Sequence, residues 1–389
     1  MSTNASTYEP IMPSNIFINR PQNNSEINFP PPNPKVGAFH RTLPHYNPTP
    51  LVSLPELAKE LGIGQLLLKN ESSRFGLPAF KILGGSWATA QVIAKKLELQ
   101  AEENVGGEAI STPDISLEQL AKAAKNAQLT LYAATDGSHG RAVSRMATYL
   151  GISARIFVPT MVDEEVIRNI RSEGSTVEVC DGDYDQTVLA TKRAAEAHPD
   201  RKGLLISDTA LEIGDETPQW MVDGYQTLFN EVEDQITGGK TVTHVITPVG
   251  VGSLAQAVAT FFRRKSPSPK IITVEPEAAA CLRYSLEAGK STTAAPGYTI
   301  CTGMCCGTLS AIAWPILKEH VNIALTVDDL EVDKAVKDLG VYNIHAGPCG
   351  AASLAAARRL VGTENFNSKA SVLILCTEGE RPYEMKPKS

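Results

Sequence analysis

The sequence contains one lysine whose neighbours suit covalent chemistry. Lys81 lies in the run FKILGGSWATA, between apolar residues and just before a glycine pair that is predicted to open a helix. An amine attacks an aldehyde only when its ammonium form is disfavoured, and packing of the lysine stem against Phe80, Ile82 and Leu83 would disfavour it. The run therefore predicts a lysine that forms a Schiff base with an aldehyde. The alternative for Lys81 taken alone is a surface lysine beside a helix start.

A glycine-rich turn predicts a phosphate-binding site. The predicted strand HVITPV leads directly into Gly250, Val251, Gly252 and Ser253, and a helix follows. Glycines let the backbone approach an anion closely, and the amides and dipole of a helix start favour its negative charge. Two alternatives stay open. GVGSLA also fits the loose dinucleotide fingerprint of a dehydrogenase, with Glu275 about twenty residues on, and a glycine turn can have a packing role only.

Asp136, Ser138 and His139 share a third turn, in ATDGSHGRAVS, which again follows a strand and opens a helix. A carboxyl, a hydroxyl and an imidazole group beside glycines suit the binding of a polar ligand. A second loop of this kind is one more than a nicotinamide dinucleotide needs, which favours a different cofactor. The alternative is an ordinary Asp-Gly turn with Ser138 as the N-cap of the helix.

Alternating elements must position these residues. From about residue 116, helical segments such as SLEQLAKAAKN alternate with short apolar segments such as LTLYAAT and ARIFVP. This alternation predicts parallel sheets covered by helices on both faces, so the fold class is α/β. Residues 1–36, rich in Asn, Pro and Ser, are predicted to be an extended arm. The Gly-rich, acidic stretch 102–116 is predicted to be a mobile connection.

Composition and charge narrow the choice of partners. The 389 residues are 42% hydrophobic, which is enough for a large core or two linked cores. The formal net charge is −7 and no helix face carries a repeated Lys/Arg cluster, which argues against nucleic acid and membranes as partners. No stretch approaches the length of an apolar membrane span, and the start MSTNASTYEP lacks a signal pattern. The chain is predicted to be cytoplasmic with a small-molecule partner.

The cysteines do not predict a metal site. There are seven, an odd number, and most lie in apolar or Gly-rich surroundings, which is typical of reduced thiols. Cys301, Cys305 and Cys306 cluster, but neither a second CxxC pair nor a nearby pair of histidines completes a tetrahedral set. We therefore predict no bound metal.

Taken together, the motifs resemble those of the tryptophan-synthase-β-like family of pyridoxal-phosphate enzymes, known as fold type II. FKILGGSWA is similar to its lysine segment, TDGSHG to its asparagine loop, PVGVGS to its phosphate loop and CTEG to its terminal segment. Within this family the chain is most similar to the diaminopropionate ammonia-lyases, through ISDTA followed by TPQWMVDGY, VEPEAAACL and AGPCGAA. The resemblance covers about residues 37 to 380 and keeps the order of the motifs.

The resemblance implies a fold and a cofactor site. It implies two doubly wound, mainly parallel domains with the cofactor cleft between them. The larger domain would comprise residues 37–89 and 190–389, and the smaller would be inserted as residues 90–189. Pyridoxal 5'-phosphate would be held by Lys81 through its amine, by Gly250, Val251, Gly252 and Ser253 at its phosphate, by Thr377 at its ring nitrogen and by Ser138 at its phenolic oxygen.

The resemblance also implies an activity. Asp136 and Asp208 match the acid-base aspartates of the lyase, and Lys81 could also move protons once it is released from the cofactor. The reaction would remove the α-proton and then the β-amino group of a small amino acid, converting 2,3-diaminopropionate to pyruvate and ammonia. A leaving amine needs a nearby acid, so one carboxyl pKa must lie near neutrality. The family commonly forms homodimers, which is the assembly implied here.

Departures from the family pattern gather where substrate would lie. Ser138 replaces an asparagine, Leu211 replaces a tryptophan, and Met304 replaces a leucine in the altered segment TICTGMCCG. With His139, Leu211 and Met304 are assigned to the substrate pocket, which would have lost an aromatic wall.

Three explanations of these changes are open. The chain is an ammonia-lyase with an altered substrate, a related pyridoxal enzyme that performs β-replacement or dehydration, or a non-catalytic protein that keeps the fold. Retention of Lys81, Asp136 and Asp208 argues against the third, because a protein without catalysis has no chemical need for proton-transfer groups.

Overall fold

The computed structural model of the chain describes residues 15–20, 29–103, 116–237, 241–363 and 366–386. Most of the predicted arm and of the predicted mobile connection lies outside these ranges. The strands within them are Ile16–Ile18 (β1), Leu51–Ser53 (β2), Gln65–Asn70 (β3), Thr130–Ala134 (β4), Ser153–Pro159 (β5), Thr176–Cys180 (β6), Gly203–Leu205 (β7), His244–Pro248 (β8), Lys270–Pro276 (β9), Ile323–Val327 (β10) and Ser371–Cys376 (β11).

The helices in the same ranges lie mostly between the strands in chain order. They are Pro34–Thr42 (α1), Pro55–Glu60 (α2), Lys81–Glu103 (α3), Leu117–Asn126 (α4), Ser138–Leu150 (α5), Glu164–Ser172 (α6), Tyr184–Glu196 (α7), Glu216–Gly224 (α8), Gln226–Gln235 (α9), Ser253–Phe262 (α10), Cys281–Ala288 (α11), Ala313–His320 (α12), Asp329–Val341 (α13) and Pro348–Arg359 (α14). Of these described helices, none is long and apolar enough to cross a membrane.

Two sheets organise the described part of the chain. The larger has the strand order β1-β10-β9-β8-β11-β3-β2, and only its edge strands β1 and β2 run antiparallel to their neighbours. The smaller, β6-β5-β4-β7, is entirely parallel. Successive residues of β3 enter different apolar clusters, Leu67 on one face of the sheet and Leu66 and Leu68 on the other. Helices therefore cover both faces, which confirms the predicted α/β class with two mainly parallel sheets.

The sheets and the predicted domain bounds differ at one point. The predicted larger domain includes every residue from 190 onwards, yet β7 pairs with β4 in the smaller sheet. Helix α7 packs on β4, β5 and β7, so the chain emerges from it at the edge of the smaller sheet and adds a strand there. The crossing to the larger sheet comes only after residue 205.

Part of the predicted arm is bound to the larger sheet. β1 pairs with β10, and the Ile16 side chain is buried in the core between the sheet and its helices. The amide nitrogen of the Asn19 side chain donates to the carbonyl oxygens of Lys318 and Val321 at 2.9 and 2.8 Å. This short segment thus closes an edge that would otherwise expose unpaired backbone groups.

Helix α3 begins at Lys81 itself, so the glycine pair lies inside its first turns and does not open it as predicted. A β-carbon built on Gly84 would lie 2.7 Å from the carbonyl oxygen of Met221, and one built on Gly224 would lie 2.5 Å from that of Leu83. Helices α3 and α8 therefore cross with their backbones in contact. The glycines fix how deeply α3 is seated in the fold, and hence where Lys81 lies.

A buried ionic network holds the segment that leads to Lys81. Arg74, which is fully buried, donates to Glu71 at 2.6 Å and to Glu231 at 2.7 Å, and Lys69 donates to Glu231 at 2.8 Å. Two positive and two negative side chains balance within the network. Since Glu231 lies on α9, the network ties the loop after β3 to the helical layer of the larger sheet.

We predict that Arg74→Met destabilises the protein by about 3–5 kcal/mol, because it leaves two buried carboxylates with a single cation. Urea unfolding of the variant and the wild type measures the difference. The control is Lys334→Ala, which removes an exposed i,i+4 pair with Asp338 and is expected to change the unfolding free energy by about 0.5 kcal/mol or less. Equal, small effects of the two substitutions would show that the network does not hold this segment.

Candidate active site

A cavity of about 250 Å³ lies where loops from the two sheets meet. Its wall is built by the start of α3 and by the loops that follow β4, β7, β8 and β11. Because the carboxyl ends of parallel strands meet at one edge of a sheet, loops that are distant in the sequence converge there. The cavity therefore collects polar groups from most of the chain.

All but one of the predicted site residues line this cavity. The residues in the lining are Lys81, Asp136, Ser138, His139, Asp208, Gly250, Val251, Gly252, Ser253, Met304 and Thr377.

Leu211 does not occur among the described residues of the lining. Its side chain is 43% exposed, and its amide donates to the Asp215 carboxylate in the loop that leads to α8. Asp208 lines the cavity, but the chain has left the cavity by the time it reaches Leu211. Leu211 therefore forms no part of the wall of this cavity, contrary to its expected place in the substrate pocket.

Lys81 forms the central ion pair of the site. Its Nζ donates to Asp208 Oδ2 at 2.7 Å, and its ammonium group lies 5.6 Å from the ring centre of Phe80. Burial acts to lower the pKa of Lys81, but the Asp208 carboxylate outweighs it and holds the pKa above its ordinary value. The expectation that packing alone makes this amine neutral is therefore wrong. Lys81 has to lose a proton before it can react with an aldehyde.

Asp208 is held as a carboxylate by two donors. Besides Lys81 at Oδ2, the hydroxyl of Tyr184 donates to Oδ1 at 2.8 Å. Burial acts to raise the pKa of Asp208, yet the charge of Lys81 and these hydrogen bonds bring it well below its ordinary value. Asp208 is thus an ionised group at neutral pH.

The pKa of Asp136, in the same cavity, is shifted in the opposite direction to that of Asp208. Burial, followed by the negative charge of Asp208, raises the pKa of Asp136 to about 7. At neutral pH this carboxyl group is therefore present in both forms. The site holds one carboxylate and one carboxyl group that can gain or lose a proton near pH 7, the combination that acid-base chemistry requires.

His139 is a neutral side chain with one free nitrogen. It is only 3% exposed, and burial lowers its pKa. Its Nε2 lies 2.8 Å from the carbonyl oxygen of Ile206 and therefore carries the hydrogen, since a carbonyl only accepts. Its buried Nδ1 has no partner within the described part of the chain and remains an acceptor.

The loop Gly250–Ser253 has the features of an anion site. It links β8 to α10, whose first residue is Ser253, and Gly252 has a φ of +96° that disfavours other residues. A β-carbon on Gly250 would lie 3.0 Å from the carbonyl oxygen of Gly303. Within the described part of the chain, no protein acceptor binds the four backbone amides of this loop. Unpaired amides at a helix start fit a phosphate group.

Glu275 is already engaged elsewhere, although a dinucleotide site would need it for a ribose. Its side chain is 1% exposed and accepts the amides of Leu282 and Arg283 at 2.8 Å each. These amides belong to the first turn of α11, so the carboxylate caps that helix. The dehydrogenase alternative therefore lacks its acidic residue.

The remaining predicted residues form other parts of the wall. Thr377 directly follows β11, is 5% exposed, and its hydroxyl has no hydrogen-bond partner in the described ranges. Ser138 is the first residue of α5 and is half-buried. Met304 is buried in a short turn of residues 302–304. A free hydroxyl at Thr377 fits a ring nitrogen, and the residues present therefore fit pyridoxal phosphate.

Tyr184 and Cys306 also line the cavity and were not predicted from the sequence. A signal for Tyr184 was available. It follows the capping residue Asp183 at the start of α7, and helix starts after parallel strands face the edge where ligands bind. Cys306 lies within the cysteine cluster, whose pattern bears only on metal binding.

Comparison with known proteins gives consistent matches over most of the chain. The profile of the family described as pyridoxal-phosphate dependent enzyme matches residues 42–378. Diaminopropionate ammonia-lyase from Salmonella typhimurium is 33% identical over 369 residues, which cover 89% of this chain and 88% of that protein.

Solved structures agree with the sequence matches. Diaminopropionate ammonia lyase from Escherichia coli in complex with D-serine has a TM-score of 0.80 and 30% identity, and the match covers 94% of both chains. Its complex with an aminoacrylate-PLP azomethine reaction intermediate has a TM-score of 0.79 over the same shares. These findings confirm the resemblance read from the motifs: the chain belongs to the pyridoxal-phosphate-dependent enzymes, in the group that contains the diaminopropionate ammonia-lyases.

Proposed function

We propose that the protein is an ammonia-lyase that converts 2,3-diaminopropionate and water to pyruvate and two molecules of ammonia. The observation that carries the proposal is the placement of two carboxyl groups of different pKa beside Lys81 in one cavity. The similarity to diaminopropionate ammonia-lyases supports the choice of substrate.

In this proposal four parts of the wall hold the cofactor. Lys81 would bind it covalently through the amine, and the amides of Gly250–Ser253 would bind its phosphate. The hydroxyls of Thr377 and Ser138 would lie against the ring nitrogen and the phenolic oxygen. When bound, pyridoxal phosphate withdraws electrons from the α-carbon of the amino acid and makes its proton acidic. A neutral hydroxyl at Thr377 limits this withdrawal and favours elimination over transamination.

Asp136 and Asp208 would handle the protons. Each carboxylate would take the α-proton from one face of the substrate, so that each serves one stereoisomer. The same cavity must supply a proton to the departing β-amino group. Asp136, with a pKa of about 7, can carry that proton at neutral pH. Lys81 could also accept the α-proton once its amine is free.

A related enzyme that performs β-replacement or dehydration is the alternative proposal. Ser138 and Met304 favour it, because they depart from the family pattern and line the cavity. Leu211 lends it no support, because its side chain lies outside the lining.

We further propose that the protein is a cytoplasmic homodimer. This rests on the family resemblance. A mass in solution equal to that of a single chain would contradict the dimer.

We predict that Lys81→Ala abolishes turnover and the visible absorbance of bound cofactor. Borohydride treatment of the wild type should attach the cofactor to the peptide that contains Lys81, as peptide mass spectrometry can measure. Lys95→Ala is the control, since Lys95 lies on the same helix but is exposed and pairs with Glu216. Full activity without Lys81 would remove this lysine from the mechanism.

We predict that Asp136→Asn and Asp208→Asn each lower kcat by about 100-fold or more for one stereoisomer and less for the other. For the isomer served by Asp136, kcat/KM should rise as the pH increases through about 7, because only the carboxylate accepts a proton. Steady-state kinetics with D and L substrates test both statements. Small, equal effects on the two isomers, or a rise near pH 7 that persists in Asp136→Asn, would refute this division of roles.

We predict that Ser138→Asn raises kcat/KM for diaminopropionate relative to serine by about 10-fold, the scale of one altered polar contact. Leu211→Trp is the matched control. It also restores a family residue, but lies outside the cavity lining and should leave the ratio unchanged. A shift caused by Leu211→Trp alone would mean that position 211 selects the substrate after all.

A further inference from the structure

Tyr184 holds the second oxygen of the carboxylate that Lys81 binds. The hydroxyl of Tyr184 donates to Asp208 Oδ1 at 2.8 Å, and Lys81 donates to Oδ2 at 2.7 Å. Asp208 is 5% exposed, and all three side chains line the cavity. The tyrosine hydroxyl thus reaches a reacting group without belonging to any of the recognised motifs.

The position of Tyr184 is fixed by the start of its helix. Asp183 accepts the amide of Gln186 at 2.9 Å, and the Gln186 side chain accepts the amide of Asp183 at 3.1 Å, which forms a capping box. On the other side, Asp185 accepts a hydrogen bond of 3.0 Å from the hydroxyl of Thr308, in a loop of the larger sheet. The first turn of α7 is therefore tied to both halves of the cavity.

The proposed reaction changes one of the two donors of Asp208, Lys81, and leaves the other, Tyr184, unchanged. If Lys81 binds the cofactor, as the proposed function requires, its nitrogen is no longer a free ammonium group. Tyr184 is then the remaining side chain that donates to Asp208 within the described part of the chain. The titratable groups that face Asp208 are Lys81, Tyr184, Asp136, His139, Tyr225 and Cys306.

Asp136 shows what happens to a carboxyl group in this cavity without such donors. No hydrogen bond from a described residue reaches its carboxylate, and burial raises its pKa to about 7. A buried carboxylate that loses its donors takes up a proton and ceases to be a base. If nothing replaced the charge and the hydrogen bond of Lys81, the pKa of Asp208 would rise as that of Asp136 does.

We propose that Tyr184 is a positioning residue, whose hydroxyl orients the Asp208 carboxylate and keeps it ionised while Lys81 is occupied by the cofactor, before the substrate displaces Lys81. The proposal rests on the proposed function for its kinetic consequence. Its structural consequence can be measured without turnover. It is a contribution of Tyr184 to stability that depends on the charge of Asp208.

Tyr184→Phe keeps the ring and removes the donor. For the stereoisomer served by Asp208, kcat should fall about 10-fold or more while KM changes by about three-fold or less. The acidic limb of kcat/KM should move to higher pH by about one unit. Visible absorbance and cofactor content should match the wild type. The control is Tyr149→Phe, whose exposed hydroxyl donates to the carbonyl of Pro44 and should change none of these values.

A second measurement uses Lys81→Ala, which no longer holds the cofactor covalently. Adding Tyr184→Phe to this variant should lower the melting temperature at pH 8, where Asp208 without donors must ionise. The loss should shrink as the pH falls from 8 to 5, since the protonated carboxyl needs no donor. A buried carboxyl group without donors has a raised pKa, so the loss should follow the ionisation of Asp208.

The outcomes separate the two proposals. An unmoved acidic limb together with a melting-temperature loss that is the same at every pH would overturn the role of Tyr184, because a packing role does not titrate. A pH-dependent loss in the Lys81→Ala background, combined with a cofactor-loaded wild type that turns over no amino acid, would leave the Tyr184 contact standing and overturn the proposed function instead.

Discussion

The ion pair between Lys81 and Asp208 is the contact on which the rest of the site depends. Its 2.7 Å hydrogen bond joins the first residue of α3 to the segment that leaves the smaller sheet, across 127 residues of sequence. Both ends must be placed by other parts of the fold. The buried network around Arg74 and the backbone contact at Gly84 set the start of α3. The pairing of β7 with β4 sets the path of the chain towards Asp208.

The same contact divides the electrostatic roles in the cavity. Lys81 holds Asp208 as an anion, and this anion in turn adds to the burial that raises the pKa of Asp136. Burial and these two charges therefore give the two carboxyl groups different proton affinities. In the proposed function Lys81 would take up the cofactor, and the hydroxyl of Tyr184 is placed to keep Asp208 ionised. Cofactor binding and proton transfer would then be coupled through Asp208.

Much of the fold and the site could be predicted from the sequence, because parallel strands followed by helices send their loops to a common edge. Lys81, the loop from Gly250 to Ser253 and the turn at Asp136 each follow this rule. The failures have a shared physical cause. The raised pKa of Lys81 depends on a distant partner, and the exposure of Leu211 depends on the path of a loop. Neither quantity is contained in local composition or periodicity.

We propose that this cavity eliminates ammonia from a diamino acid. The most direct test incubates the cofactor-loaded protein with 2,3-diaminopropionate and measures pyruvate and ammonia in the same sample. We predict one pyruvate for every two ammonia molecules. A protein that keeps the visible absorbance of its cofactor but releases no pyruvate from either stereoisomer would contradict it.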